Sequence, residues 1–412
     1  MNASLRHTNI SWTLQSPPRL SANGRLFYIV LACFPLPIFF NESGLYKDYS
    51  VGAARGFPLS LFFVFFLFLI PIYLKQLKSI LTLVIWVSFC FYVPAIYSVA
   101  IGTHDGFDLL WIYLLSIFAG LGAYVVFLAA GLETFDQAAR LFSLTLAPIA
   151  ILWTIYQIDT FLSFGRANGD FWGLLAIYQV WVYWPTILAV MFCLSWYQRV
   201  RLKLLLSIIY FIAIVFTGAR EPLLIISVFY ILYHIGKFWR KEISGFQAVA
   251  FTLSPIFLLT IIASVTNFYP QSIIAKKLTG MWAGEVDFAG GRIAVLEQFD
   301  LIDVQPFFGT GFSLLDSVFG STHNQYIELY YRGGFISLLA FLPIIVIAVR
   351  SVKRNRLEIF ECLVCSLLLV SFNANVPMRA PYAGVMFWFL FFHLIATANK
   401  TRPLMSSKRT YI

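Results

Sequence analysis

Residues 109–131, LLWIYLLSIFAGLGAYVVFLAAG, hold no charged side chain. At 1.5 Å per residue a helix of that length crosses the bilayer's hydrocarbon core of about 30 Å. Hydrocarbon offers no partner to backbone N–H and C=O groups, so a helix, which satisfies them internally, is the structure such a run is driven to adopt. Comparable runs recur at 26–40, 57–74, 79–101, 141–158, 174–196, 204–218, 222–236, 247–268, 334–349, 360–373 and 383–398. Only 12% of residues are charged and 60% are hydrophobic, whereas soluble domains carry about a quarter charged residues. Mean hydropathy is +0.81. The expectation is an all-α, polytopic integral membrane protein with about 12 transmembrane helices, residues 1–412 forming a single transmembrane domain.

The stretch 204–236 tests that reading. As one helix it would be about 50 Å long, and it carries Ala219-Arg220-Glu221-Pro222 in its middle, where proline interrupts a helix. Two helices meeting at a tight turn are therefore expected. With a cytoplasmic N-terminus, this assignment puts 20 of the 29 basic residues inside but only 5 of the 19 acidic ones, as the positive-inside rule requires. Merging the two helices would move Lys237, Arg240 and Lys241 outside. The net charge of +10 thus reads as orientation in a membrane and not as nucleic-acid binding. Residues 1–25 are polar and basic, and Asn41-Glu42-Ser43 follows the first apolar run where a signal peptide would have small residues. That first helix is expected to stay as an anchor. Cys33, Cys90, Cys193, Cys362 and Cys365 all fall in predicted helices and read as packing residues.

The long connection 267–333, external by the charge count, is where function concentrates in such a chain. It contains Gly290-Gly291-Arg292, an amphipathic stretch with Ile293, Leu296 and Phe299 on one face, then Pro306-Phe307-Phe308-Gly309-Thr310-Gly311-Phe312. It ends in Ser321-Thr322-His323-Asn324-Gln325. Thr322-x-x-Gln325 fits a capping box, which would make His323 the first helical residue, held neutral by the helix dipole and able to accept a proton. The same histidine could simply cap a helix at a wet interface. Arg220 stands at an external helix end between two apolar runs, either binding an anion or pairing with Glu221. Arg292 follows two glycines that permit close approach of a ligand, or is an ordinary loop arginine. Arg379 lies in the last external loop, after Asn373-Ala374-Asn375. External arginines with a histidine suit a diphosphate, because the guanidinium fork matches phosphate oxygens. No nucleotide-binding glycine loop or zinc-protease motif is present, and Glu285-x-Asp287, the one acidic pair that could suggest a divalent metal, reads as solvated loop.

In order along 217–390, Thr217-Gly218-Ala219-Arg220, Gly291-Arg292, Gly309-Thr310-Gly311-Phe312, and His323-Asn324-Gln325-Tyr326-Ile327-Glu328 before Gly333-Gly334 resemble the bacterial O-antigen polymerase and O-antigen ligase superfamily of polytopic glycosyltransferases. The N-terminal half matches only in being membrane helices. The resemblance implies a GT-C-like fold with a large periplasmic loop, 267–333, carrying part of the active site. It also implies multi-pass insertion in the bacterial inner membrane, both termini cytoplasmic.

The implied reaction is glycan transfer from an undecaprenyl-diphosphate-linked oligosaccharide, with no cofactor and no metal. Arg220, Arg292 and Arg379 would bind the diphosphate, His323 would take the acceptor's proton and Asn324 would position that hydroxyl. The acceptor would be a second lipid-linked glycan (polymerase) or lipid A-core (ligase). Ligases often carry a second histidine just before the His-Asn pair, and Gly320-Ser321-Thr322 in its place leans toward polymerase. Membrane lipids and a chain-length regulator are the other implied partners, with no nucleic acid. A transporter or flippase for lipid-linked sugars is the reading from another class, against which stands the clustering of charges at one face.

Overall fold

A computed structural model describes residues 22–35, 62–102, 108–132, 134–164, 167, 170–171, 175–176, 183–247, 249–250, 253, 304–312, 324–353, 357–375, 377–379 and 381–398. Among the described residues the regular structure is helical apart from one two-residue antiparallel pairing. The elements in chain order are α1 (Ala22–Ala32), a 3-10 turn (Phe65–Leu69) running straight into α2 (Ile70–Ala100), α3 (Asp108–Ala129), α4 (Phe135–Tyr156) and α5 (Ile158–Phe164). The paired strands β1 (Asp170–Phe171) and β2 (Leu175–Ala176) precede α6 (Tyr183–Leu194), α7 (Val200–Thr217) and α8 (Glu221–Trp239). After the long connection come α9 (Gln325–Leu339), α10 (Leu342–Lys353), α11 (Ile359–Ser366), a π-helical turn (Leu367–Ser371), α12 (Phe372–Ala374) and α13 (Pro381–Ala398).

Among the described residues five helices are long and apolar enough to cross a membrane, and six if the α9–α10 pair, bent by 62°, is one span. The hairpin expected at 204–236 is present. Gly218 ends α7 in the left-handed conformation at φ 67°, and Pro222 sits in the first turn of α8, the position where a missing N–H costs nothing. Elsewhere the helices differ from expectation. Residues 62–100 form one uninterrupted helical run in place of two spans at 57–74 and 79–101. Lys75 and Lys78 are exposed on it, and long lysine stems can carry their charge toward the interface without breaking a helix. Of the span expected at 174–196, the described residues are α-helical over Tyr183–Leu194 and 3-10 helical from Ser195, with 175–176 in β2. The span at 247–268 lies almost wholly outside the described residues.

Small residues set the packing, as expected where helices associate without a hydrophobic gradient. A Cβ on Gly384 would lie 2.7 Å from the Ser116 Cβ, and one on Gly120 would lie 2.6 Å from the Trp388 Cβ. Four residues on in each helix, these contacts run α3 and α13 side by side and parallel. Thr186 bonds Glu221 and Trp196 packs on Tyr233, so α6 and α8 are also parallel. Lys203, in the first turn of α7, lies over the Trp196 ring, so α7 runs opposite to both. One end of the bundle therefore gathers the C-terminus of α7 with the N-termini of α8 and α9, and the other gathers Arg199, Lys203, Lys237 and Arg240.

The apolar run expected to be helical from 334 is broken at its start. Gly333 (φ −134°, ψ 16°) and Gly334 (φ 60°, ψ −158°) interrupt α9, the latter in a region essentially restricted to glycine. Such a break frees backbone groups, and the strap 306–312 takes them up. Thr310 and Gly311 donate their N–H groups to the carbonyls of Tyr331 and Arg332, each at 2.8 Å. Phe335 and Ile336 donate to the carbonyls of Pro306 and Phe307 at 2.8 and 3.3 Å. The fit requires bare glycine on both sides: a Cβ on Gly309 would stand 2.5 Å from the Arg332 carbonyl carbon, and one on Gly334 would collide with the Phe307 carbonyl. Behind the strap, Phe312 packs on Phe91 and Tyr113, Phe308 stacks on Tyr97 at 4.1 Å, and Ser98 donates to the Thr310 carbonyl.

Gly334→Ala should destabilise the protein by about 2–4 kcal/mol, since it combines a disallowed φ with a clash that has no side chain to yield. Gly245→Ala, whose new methyl would meet nothing nearer than 3.8 Å, should leave the detergent melting temperature within a degree or so. Thermal unfolding of the two variants side by side checks the contrast.

Candidate functional site

The end of the bundle where α8 and α9 begin carries a layer of buried polar side chains. Glu221, the first residue of α8, is 7% exposed. Its two carboxylate oxygens are used separately: Oε1 accepts from the Thr186 hydroxyl at 3.1 Å and Oε2 accepts from the Asn375 amide. A buried carboxylate is tolerable only when its oxygens are met this way. The link ties α6, α8 and the segment after α12 together at one point.

Asn324 begins α9. Its backbone is extended (φ −147°, ψ 116°), and its side-chain oxygen accepts from the N–H groups of Tyr326 at 3.0 Å and Ile327 at 3.1 Å. That is an N-cap satisfying two otherwise orphaned donors. The expected capping box on Thr322 is therefore corrected. The helix starts two residues later, and His323 lies before it and not within its first turn. Gln325 could not complete that box because its side chain is engaged elsewhere: Nε2 donates to the Tyr113 hydroxyl at 3.1 Å, and Oε1 accepts from the Met378 N–H at 3.0 Å. The amide nitrogen of Asn324 reaches Asn373, at 3.4 Å from its side-chain oxygen and 3.5 Å from its carbonyl.

Asn373 and Asn375 thus bridge the starts of two different helices. Asn373 hands its own amide to the Leu369 carbonyl at 2.8 Å, across the π-helical turn 367–371. A π turn widens a helix locally and often marks a functional position. Here it precedes the short run Phe372–Asn375 that presents both asparagines. The 3-10 turn Pro377–Arg379 follows directly, held by the Met378–Gln325 bond. One turn further along α9, Glu328 and Arg332 form an ion pair at 3.4 Å with side chains 0% and 2% exposed. It stands between the N-cap and the glycine break, so α9 carries polar chemistry along its whole first half.

Of the residues singled out in the sequence, Arg220 is the N-cap position of α8 and partly exposed, immediately before the buried Glu221. Asn324 is the N-cap of α9, and the backbone of Arg379 lies in the 3-10 turn pinned to Gln325. The structure brings these three segments together at one end of the bundle. His323 and Arg292 lie outside the described residues, as do Glu285 and Asp287 and the amphipathic stretch after Arg292. Glu221, expected as a possible ion-pair partner for Arg220, accepts hydrogen bonds from Thr186 and Asn375. Thr186 and Tyr113 carried no sequence signal as site residues, since each is a single hydroxyl in an apolar run, and Gln325 carried one only as part of the capping box and the His-Asn motif. Among the described residues no group of three His, Cys, Asp or Glu side chains could hold a metal ion. Cys90, Cys193, Cys362 and Cys365 are buried free thiols, whereas Cys33, just past α1, is exposed and not a packing residue. No protein-family model matches the chain, and no curated protein matches it either.

Glu221→Ala would remove the acceptor that Thr186 and Asn375 share, at a cost of about 1–3 kcal/mol. Asn324→Ala should cost about 1 kcal/mol through the lost cap, and Asn324→Asp, which keeps the accepting oxygen, should recover most of it. Melting temperatures of the three variants in one detergent check the order.

Proposed function

We propose that the protein is a membrane glycosyltransferase of the O-antigen polymerase type. It would act at the periplasmic face of a bacterial inner membrane on undecaprenyl-diphosphate-linked glycan. The observation that carries the reading is the meeting of separate segments at one bundle end: Arg220 at the start of α8, Asn324 at the start of α9 and Arg379 after α12, joined through Glu221–Asn375 and Asn324–Asn373. Nothing in their local sequence requires these segments to touch. Their meeting is what a shared substrate site would need.

In this reading an acceptor hydroxyl attacks the anomeric carbon of the donor. The bond to the lipid diphosphate breaks with its electron pair going to the diphosphate, and the hydroxyl proton passes to His323. Arg220, Arg292 and Arg379 offset the charge that grows on the leaving group. The side-chain oxygen of Asn324 is committed to the helix cap, so its contribution is to fix the start of α9 beside His323, more than to hold the acceptor itself. About 12 transmembrane helices, a GT-C-like arrangement and cytoplasmic termini belong to the same proposal, as does a chain-length regulator as a membrane partner.

A transporter of lipid-linked sugar draws support from the broken helix α9, because transporters bind substrate at such breaks. The freed groups of this break are, however, occupied by residues 306–312.

The deciding reaction uses purified protein, a short undecaprenyl-diphosphate oligosaccharide and a chelator, with and without lipid A-core. A ladder on the lipid carrier alone is the expected result. Product only with lipid A-core would make the protein a ligase, and no product in either tube would favour the transporter. His323→Ala should lower turnover by about 10²–10⁴-fold with donor binding retained. Arg220→Ala, Arg292→Ala and Arg379→Ala should each impair donor use by about 10²–10³-fold, and lysine should not restore it. Wild-type donor kinetics in all three would remove the diphosphate clamp.

A further inference from the structure

The opposite end of the bundle is rich in basic residues, and two of them, Arg140 and Arg240, have carboxylate partners. Arg140 pairs with Asp136 at 3.5 Å and Arg240 with Glu242 at 2.6 Å. The Arg240 guanidinium, by hydrogen bond first and by charge second, holds the Glu242 carboxyl below its ordinary range. Lys203 and Lys237 are different. Lys203 comes from the first turn of α7 and lies with its ammonium 3.5 Å from the centre of the Trp196 ring. Lys237 comes from the last turn of α8 and lies 4.8 Å from the Tyr233 ring centre. The two rings meet edge-on at 4.9 Å, so both ammonium groups border one aromatic pair, close enough to repel each other. Among the described residues neither makes a salt bridge, although the Glu242 carboxylate held by Arg240 also feels the charge of Lys237. Arg199, four residues before Lys203 and hence on the same face of the chain's entry into α7, is exposed and likewise makes no salt bridge among them.

Orientation in the membrane accounts for basic residues at this end. It does not account for two like charges drawn together, half-buried, onto adjoining rings while Arg140 and Arg240 are neutralised. Such an arrangement costs free energy unless an anion sits between the charges. The surroundings say where that anion comes from. Leu204 is 64% exposed, Phe238 44% and Trp239 42%, an apolar and aromatic fringe of the kind that faces lipid at the membrane boundary. We infer that Trp196, Arg199, Lys203, Tyr233 and Lys237 form a binding site for the phosphate of an anionic phospholipid in the adjoining leaflet, the acyl chains lying along α7 and α8. The rings hold the ammonium groups at the headgroup level, and the phosphate bridges them.

The test uses the full chain in detergent, with phosphatidylglycerol and phosphatidylcholine as probes and retained lipid counted by native mass spectrometry. Wild type should retain phosphatidylglycerol in preference to phosphatidylcholine, and each of Lys203→Gln and Lys237→Gln should weaken that retention about fivefold. Lys75→Gln with Lys78→Gln, the same loss of charge elsewhere, should leave it unchanged. An equal loss in that control would overturn the site in favour of unspecific surface attraction. Displacement of the lipid by millimolar inorganic phosphate would overturn it in favour of a free-anion site. Because a variant could fail to fold, a photoreactive phosphatidylglycerol is applied to the wild type as well. Labelling within 196–204 and 233–241 supports the site, and labelling confined to other segments overturns it.

Discussion

The rest of the structure depends on how α9 satisfies its backbone where it breaks. In a lipid medium an unpaired N–H or C=O costs several kcal/mol, so irregular backbone persists only where protein covers it. The strap 306–312 supplies that cover with two donors and two acceptors matched to the groups freed at Gly333–Gly334. Two glycines on one strand of this contact and one on the other are the steric condition for it. Once docked, the strap brings Phe312 against Phe91 and Tyr113, and its Phe312 carbonyl accepts from the Leu109 N–H at the start of α3. Residues 306–312 and 333–334 are thus one structural unit, and the end of α2, the start of α3 and the first half of α9 are placed by it.

The polar layer follows from that placement. With α9 set, Gln325 meets Tyr113 and Met378, Asn324 meets Asn373, and the run 373–375 is held where Asn375 reaches Glu221. Each bond joins segments far apart in the chain, and each partner is itself buried or at a helix end. A half-satisfied set of this kind would be worse than an apolar one. The layer is therefore cooperative: the loss of one partner strands the next, which makes the geometry at this end rigid.

The sequence announced elements that local rules decide. Gly218 and Pro222 split 204–236 because glycine and proline act on their own turn. The cap of α9 was misplaced because Thr322 and Asn324 both satisfy local capping rules. The choice between them is made by Gln325, whose side chain is drawn off to Tyr113, 212 residues away. The role of Glu221 was hidden for the same reason, its partners being 35 and 154 residues distant. The two spans expected at 57–74 and 79–101 are one helical run, since Lys75 and Lys78, exposed on it, do not stop a helix. The glycine pair 333–334 was noticed as a motif, but its meaning needed the strap, which supplies the partners.

The two ends of the bundle handle polarity in opposite ways, and this bears on what each can do. At the α7–α8 turn and the start of α9, neutral amides, two hydroxyls and one carboxylate consume each other's bonds, leaving a stiff frame that holds the backbones of Arg220 and Arg379 in fixed relation. A frame of this kind suits chemistry, where groups must already be in place as charge develops. It suits transport poorly, since a moving helix would have to break and remake every bond of the layer. At the far end the charges are long, aromatic-backed and partly exposed, able to follow a fluid headgroup. The break in α9 would ordinarily speak for transport. Because its backbone groups are already spent on residues 306–312, a substrate could use them only by displacing a strap held by Phe308 on Tyr97 and Phe312 on Phe91.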